Sequence, residues 1–161
     1  MDELNSIQRT TVIGVIGAGS CSGKDRELAE AVGRHIATTG NLLVCGGLGG
    51  VMEAAAKGAK DAGGVTIGIL PGDNKDAANR YIDVAIATGM GEARNIIIIK
   101  TSDAVIALPG KYGTLSEMAF AMKIGKPIVS LSNWEISEDI FKTDDPETAV
   151  NKALDLMGEN D

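Results

Sequence analysis

One stretch restricts the fold of this chain more than any other, and it reads Leu108-Pro-Gly-Lys-Tyr-Gly-Thr-Leu-Ser-Glu117. It follows a short apolar run over 104–108 and leads into an almost wholly apolar segment over 115–124. A strand that ends in a glycine turn and opens directly into a helix brings free backbone N–H groups and the positive end of the helix dipole to one point. That geometry binds anions, and phosphate above all.

The same stretch also fits a structure that needs no ligand. Thr114 is a suitable N-cap residue, and Glu117 stands three positions later, as in a capping box whose side chains bond to the first backbone N–H groups of a helix. The sequence leaves both interpretations open.

Composition narrows the classes of function. The chain has 161 residues, the length of one domain, and only 3% of them are aromatic, so we expect an aliphatic core. A formal net charge of −7 argues against a nucleic-acid partner, because nucleic acids bind to basic surfaces. Small anionic ligands remain compatible where N–H groups and a few cations outweigh that charge locally.

The sequence indicates neither a metal site nor an association with a membrane. Cys21 and Cys45 lack metal-ligand spacing, and His35 is the only histidine, so we expect no metal site. The first ten residues are polar and contain no signal-peptide core. No apolar run approaches the roughly 20 residues that a membrane span needs. These features predict a cytoplasmic protein without a membrane partner.

Strand-like and helix-like segments alternate along the chain. Apolar runs typical of buried strands occur at 11–17, 42–45, 65–70, 104–108 and 127–131, with a shorter one at 84–86. Helical patterns occur over 24–39, 51–62 and 115–124, and Asp145 followed by Pro146 predicts the start of a last helix, within 145–158. The segment 91–100 is ambiguous, because four consecutive isoleucines favour a strand whereas its spacing favours a helix.

This alternation predicts an α/β fold: a single Rossmann-like, doubly wound parallel sheet with helices on both faces. We expect one phosphate- or nucleotide-binding domain over 1–161, with a tail at 1–10. Three glycine-rich turns, at 17–23, 46–50 and 109–113, follow predicted strands. Ligands bind beyond the carboxyl ends of the strands in such sheets, so the three turns are expected to converge on one site.

The first glycine-rich turn, at 17–23, resembles two familiar phosphate-binding motifs but matches neither of them. Gly23-Lys24 resembles a Walker A loop, but Ala18 and Asp25 stand where that motif has a glycine and a Ser or Thr. Gly17-Ala-Gly19 nearly matches a dinucleotide fingerprint, but Ser22 replaces its third glycine. Close packing of the strand onto a helix explains Gly17 and Gly19 as well as a ligand does.

The remaining combination resembles the lonely-guy (LOG) superfamily, whose members were long labelled putative lysine decarboxylases. The resemblance rests on Gly46-Gly-Leu-Gly-Gly-Val-Met52, Arg94 and the stretch ending at Glu117, and it covers roughly 12–131. It implies one of two activities. Some relatives hydrolyse cytokinin nucleoside 5′-monophosphates to the base and ribose 5-phosphate, whereas molybdenum-cofactor carrier proteins bind a phosphorylated pterin without transforming it.

Two departures from the hydrolase pattern favour binding over hydrolysis. Lys111 replaces the second glycine of the motif, and Asn95 replaces the lysine that follows the arginine in hydrolases. We therefore expect a carrier-type binding protein that needs no cofactor and holds the molybdenum cofactor or a nucleoside monophosphate as its ligand. The alternative is a phosphoribohydrolase in which Glu117 and Arg94 are catalytic. No feature supports lysine decarboxylation, and a structural protein with an inactive pocket is a third interpretation.

The predicted ligand-binding residues come from the three turns and from Arg94, which would hold a phosphate through its forked, always-charged donors. They are Gly19, Ser20, Gly46, Gly47, Gly50, Val51, Arg94, Gly110, Lys111, Gly113 and Thr114. Met52 and Met118 are expected in the core. The segment 115–124 carries apolar residues around its whole circumference, and resembling proteins form homodimers, so we expect a homodimer or higher homo-oligomer that uses this helix.

Overall fold

The computed structural model describes residues 9–159, so the first eight positions of the predicted tail lie outside the described residues. Across 9–159 the strands form one seven-stranded parallel sheet. The strands are β1 (Val12–Ile16), β2 (Leu42–Cys45), β3 (Thr66–Leu70), β4 (Val84–Ala87), β5 (Ala104–Ala107), β6 (Ile128–Ser130) and β7 (Phe141–Lys142). The α-helices are α1 (Gly23–Thr38), α2 (Val51–Asp61), α3 (Arg94–Thr101), α4 (Tyr112–Lys123) and α5 (Pro146–Gly158).

The strand order is β4-β3-β2-β1-β5-β6-β7. The chain builds outward from β1 to β4, crosses back, and places β5 on the other side of β1, where Ile13 pairs with Ala104. The direction of winding therefore reverses between β1 and β5. A crevice opens at such a point beyond the carboxyl ends of the two strands, and open α/β sheets bind their ligands there.

Helices cover both faces of the sheet, which confirms the predicted doubly wound α/β class. Helices α1, α2 and α5 pack on one face, against side chains that include Ile13, Leu43 and Ile106. Helices α3 and α4 pack on the other face, against side chains that include Ile16 and Val44. Since β1 and β5 are buried on both faces, their sequences are apolar without alternation.

The ambiguous isoleucine segment forms helix α3. Two parallel strands, β4 and β5, flank it, and a parallel connection needs a crossover long enough to return across the sheet. Ile98 and Ile99 point into the core, whereas Ile96 stays 43% exposed. Topology thus overrides the strand preference of the isoleucines.

The last helix begins as the sequence predicts. The carboxylate of Asp145 accepts a hydrogen bond from the backbone N–H of Thr148 at 2.8 Å, and Pro146 occupies the first turn. A span of the bilayer needs a longer apolar helix than any found within residues 9–159.

Candidate functional site

A cavity of about 370 Å³ opens at the crevice between the ends of β1 and β5. Its walls come from the turn after β1, the turn after β2, the start of α3 and the first turns of α4. The lining residues are Val15, Ile16, Gly17, Ala18, Gly19, Ser20, Gly46, Met52, Arg94, Asn95, Ile98, Lys111, Gly113, Thr114 and Glu117.

Backbone hydrogen bonds through Ala18 tie the three glycine-rich turns together. The N–H of Ala18 donates to the carbonyl of Pro109 at 3.0 Å, and its own carbonyl accepts from the N–H of Val51 at 2.9 Å. Gly50 takes a positive φ of 65° so that the chain can enter α2 beside this junction, and a side chain there would collide with the turn after β1. The predicted convergence of the turns is therefore held by main-chain contacts.

The interpretation of Thr114 and Glu117 as a capping box is wrong. Helix α4 begins at Tyr112, its N-cap is Lys111, and no side chain caps it. The N–H of Leu115 already donates to the carbonyl of Lys111 at 3.0 Å, so Thr114 lies inside the first turn. The helix thus starts earlier than the apolar pattern indicates, directly after the turn in which the Pro109 carbonyl accepts the hydrogen bond from Ala18.

This early start changes what the first turn can bind. The N–H groups of Tyr112, Gly113 and Thr114 have no carbonyl partner within the helix, and Gly113 and Thr114 line the cavity. The positive end of the helix dipole lies at the same point. Lys111 adds a side-chain cation to the same wall.

Glu117 does not cap α4, and it faces the cavity from the next turn of this helix. Only 7% of the residue is exposed, and no described residue donates a hydrogen bond to its carboxylate. Burial raises the pKa of this carboxyl to about 7, and the positive charge of Arg94 opposes the rise only in part. A buried acid that titrates near neutrality in a cavity is typical of a functional group.

Arg94 is the first residue of α3, but its side chain turns inward and is half-buried. One terminal nitrogen donates to the side-chain oxygen of Asn95, and the other donates to the carbonyl of Gly46 at 3.4 Å. Its Nε is buried without a hydrogen-bond partner among the described residues. Burial lowers the pKa of this guanidinium, while the negative charge of Glu117 opposes that change. An unsatisfied donor of this kind is stabilised by a bound acceptor.

The structure brings eight of the predicted site residues to the cavity wall: Gly19, Ser20, Gly46, Arg94, Lys111, Gly113, Thr114 and Glu117. The other four predicted residues, Gly47, Gly50, Val51 and Gly110, are not among the lining residues. Val51 is fully buried, and an atom added to Gly17 would approach its Cγ1 to 2.5 Å, so packing explains Gly17. Packing does not explain Gly19, since an added Cβ there would meet nothing within 4 Å.

Seven lining residues are not among the predicted site residues: Val15, Ile16, Gly17, Ala18, Met52, Asn95 and Ile98. Met52, predicted for the core, packs against it but is only half-buried and also lines the cavity. Asn95, which the sequence identifies only as a departure from the hydrolase pattern, accepts a hydrogen bond from Arg94. The pairing follows from the helical conformation of 94–101, which the sequence did not decide. Met118, by contrast, is fully buried as expected.

A second hollow of about 550 Å³ adjoins the cavity between α3 and α4. Asn95, Gly113 and Glu117 line both spaces. The remaining walls are mostly apolar or aromatic and include Ile96, Ile99, Tyr112 and Phe120. No group of three or more His, Cys, Asp or Glu side chains is placed to hold a metal ion anywhere in 9–159.

Comparison with protein families matches residues 10–157 to the SLOG cluster4 family. An uncharacterized protein of Archaeoglobus fulgidus is 51% identical over 142 residues, which cover 88% of this chain and 93% of that protein. The cytokinin riboside 5′-monophosphate phosphoribohydrolase of Mycobacterium tuberculosis is 40% identical over 118 residues, 67% of this chain. The chain spans only 63% of the length of that enzyme.

Two solved structures resemble the whole described fold. The molybdenum cofactor binding protein of Rippkaea orientalis superposes with a TM-score of 0.84 and 37% identity, covering 95% of this chain and 98% of that one. The molybdenum cofactor carrier protein of Chlamydomonas reinhardtii superposes with a TM-score of 0.82 and 35% identity, covering 93% and 99%.

Proposed function

The chain belongs to the SLOG cluster4 family, and from this premise we propose that it is a phosphate-anchored binding protein for a pterin or nucleotide-like ligand, of the molybdenum-cofactor-carrier type. The observation that carries the proposal is the cavity wall at the start of α4, where free N–H groups, the helix dipole and Lys111 meet.

The phosphate is expected at this wall. Gly113 and Thr114 present backbone donors, and Lys111 presents a charge, so an anion there is attracted although the whole protein is acidic. Arg94 faces the same space from α3 and presents a buried donor that lacks a partner among the described residues. A ligand oxygen that reaches this guanidinium would gain a charge-assisted hydrogen bond.

The rest of the ligand is expected to be a planar ring system. A volume of about 370 Å³ falls in the range of small-molecule sites and exceeds what a phosphate alone fills. The walls next to Glu117 are apolar, with Ile98 in the cavity and Ile99 and Phe120 in the adjoining hollow. Such surfaces favour a heterocycle over a second charged group.

The share of each relative's length that the chain matches also supports the carrier interpretation. The molybdenum-cofactor proteins match along nearly their whole length, whereas the hydrolase of M. tuberculosis extends well beyond the match. The side chain of Asn95 supplies no second cation and instead accepts from Arg94. The charged donors of the cavity are therefore Arg94 and Lys111, which lie at the starts of different helices, and not the two consecutive residues, arginine and lysine, of the hydrolase pattern.

One observation favours the second candidate, hydrolysis of a nucleoside 5′-monophosphate. Glu117 is buried in the same cavity as Arg94 without forming a hydrogen bond to a described residue, and its pKa near 7 allows it to exchange a proton at neutral pH. As a carboxylate it would stabilise positive charge on a ribose carbon while the base departs, or position the attacking water.

The decisive experiment measures binding and base release on the same sample. Matched probes such as AMP and adenosine, together with purified molybdenum cofactor, are tested for a rise in melting temperature, and base release from AMP is followed in parallel. We expect AMP or the molybdenum cofactor to raise the melting temperature, adenosine to have no effect, and no base to be released. Base release that disappears in Glu117→Gln would establish the hydrolase instead. No stabilisation by either phosphorylated probe would contradict the phosphate-anchored site.

Three further features belong to the same proposal. A homodimer through the exposed apolar side chains of α3 and α4 would cover the hollow beside Glu117, which Ile96 lines while 43% exposed. We also propose a cytoplasmic location, on the basis of the sequence. The acidic net charge of −7 supports a small-molecule partner rather than a nucleic acid.

A further inference from the structure

The segment after β6 holds both backbone groups of Gly110. The N–H of Gly110 donates to the side-chain oxygen of Asn133 at 3.3 Å. The indole N–H of Trp134 donates to the carbonyl of Gly110 at 3.0 Å. These bonds cross 23 and 24 positions of sequence, and neither Asn133 nor Trp134 lines the cavity.

Gly110 does not line the cavity, but it packs against two residues that do, Thr114 and Ala18. A Cβ added to it would collide with the hydroxyl of Thr114 and would approach the backbone nitrogen of Ala18 to 3.1 Å. Thr114 lines the cavity, and Ala18 joins the three turns. A displacement of Gly110 would therefore move the groups that contact a phosphate.

The segment that holds Gly110 is itself fixed to the core. The backbone N–H of Trp134 donates to the hydroxyl of Ser132 at 3.2 Å, and Ser132 is buried beside Ser130 at the end of β6. The indole ring lies 5.8 Å from the ring of Tyr112, measured between centroids. Trp134 thus contacts the residues on both sides of Lys111.

We propose that Asn133 and Trp134 are positioning residues that set the turn over 109–111, and with it the start of α4, for binding the anionic end of the ligand. This inference rests on the proposed phosphate-anchored function. It assigns a binding role to side chains outside the LOG-like motif and outside the cavity wall.

Trp134 is the only tryptophan of the chain, which makes the inference directly observable. Its indole N–H is bonded to the turn that the ligand contacts, so its fluorescence reports on that turn. Titration of the wild-type protein with inorganic phosphate is expected to change the emission with the same midpoint that ³¹P line broadening gives.

The test compares Trp134→Phe and Asn133→Ala with the wild-type protein. Trp134→Phe keeps an aromatic ring beside Tyr112 but removes the donor to Gly110, and Asn133→Ala removes the acceptor from an exposed position. We expect the Kd for inorganic phosphate, measured by ³¹P line broadening well below the melting temperature, to rise about two- to tenfold in each variant, as for the loss of one hydrogen bond.

Ser137→Ala is the matched control. Ser137 lies in the same segment and accepts a hydrogen bond from the backbone N–H of Asp139 at 3.1 Å, so its loss loosens the segment without touching Gly110. The Kd of the Ser137→Ala variant for inorganic phosphate is expected to stay within twofold of the wild-type value. A merely structural role for Trp134 would lower the melting temperature and leave the phosphate Kd unchanged.

The outcomes separate the two proposals. Phosphate binding by the wild-type protein that is unchanged in both Trp134→Phe and Asn133→Ala overturns the positioning role alone. No phosphate binding by the wild-type protein overturns the phosphate-anchored function and the positioning role together. Should Trp134→Phe fail to fold, the exposed Asn133→Ala variant decides the question.

Discussion

Arg94 and Glu117 face the same cavity from different helices without forming an ion pair. Arg94 bonds to Asn95 and Gly46, and Glu117 receives no hydrogen bond from a described residue. The two charges influence each other across the cavity, but burial dominates at both groups. A cavity with a carboxyl that accepts no hydrogen bond from a described residue and a buried guanidinium nitrogen without a partner among them is prepared for a ligand that contacts both.

Glu117 makes stability depend on pH. Its pKa is raised from 4.5 to about 7 in the folded state, so the folded protein holds the proton more tightly than the unfolded chain. The cost of burying the charge is absent below about pH 4.5, grows as the pH rises, and is complete above about pH 7. Glu117→Gln removes this cost.

We therefore expect Glu117→Gln to be more stable than wild type by up to about 3 kcal/mol at pH 8, and by much less at pH 5. Urea unfolding at both pH values measures the difference. A stability difference that stays constant from pH 5 to pH 8 would show that Glu117 is not buried as described.

Lys111 is expected to strengthen phosphate binding. Lys111→Ala removes a cation from the cavity wall, and we expect the Kd for AMP to rise about tenfold, as for the loss of a charged contact. Calorimetry at low and high salt measures this, and the difference should shrink as salt increases. Lys123→Ala is the control, because Lys123 ends the same helix, away from the cavity. Equal Kd values for the two variants would contradict the assignment.

Gly17 and Gly19 are expected to respond differently to the same small change. Gly17→Ala places a Cβ 2.5 Å from the buried side chain of Val51 and should destabilise the protein by about 1–3 kcal/mol. Gly19→Ala meets no atom within 4 Å, so stability should hardly change, while ligand affinity should fall because Gly19 lines the cavity. Urea unfolding compares the stability of the two variants, and AMP titration measures the affinity of Gly19→Ala. A large loss of stability in Gly19→Ala would refute this division.

The homodimer is expected to depend on α3. Ile96→Glu places a charge on the exposed apolar surface formed by α3 and α4, and burial of that charge at an interface should dissociate the dimer. Val84→Glu is the control, since Val84 is similarly exposed, at 48%, but lies on the edge strand β4. Light scattering is expected to show a monomer for Ile96→Glu and a dimer for Val84→Glu. A monomeric wild-type protein would exclude the homodimer.

Most of the fold can be predicted from local sequence patterns. Apolar runs without alternation indicate strands covered on both faces, and 42–45 is a strand over its predicted length. Asp145 and Pro146 mark the start of α5 because capping depends on neighbouring residues only. The glycine turns after β1, β2 and β5 could be placed at one edge of the sheet because the carboxyl ends of parallel strands share an edge.

The functional interpretation of Glu117 could not be reached in this way. A capping box and a ligand-binding site both fit the spacing of Glu117 from Thr114. The choice between them depends on the residue at which α4 begins. That start is Tyr112, directly after a turn whose Pro109 carbonyl is bonded to Ala18, and Ala18 lies 91 positions before Pro109 in the sequence. No local pattern contains that contact.

The sequence by itself determined the alternation of strands and helices, the glycine turns and the chemical groups available to the site. Periodicity, turn formation and capping depend on residues a few positions apart, so these features are local. Tertiary structure alone decided that β5 lies beside β1, that 94–101 is helical, and that Glu117 is buried across a cavity from Arg94. Burial and charge at the site depend on contacts between distant segments, and those contacts exist only once the sheet has assembled.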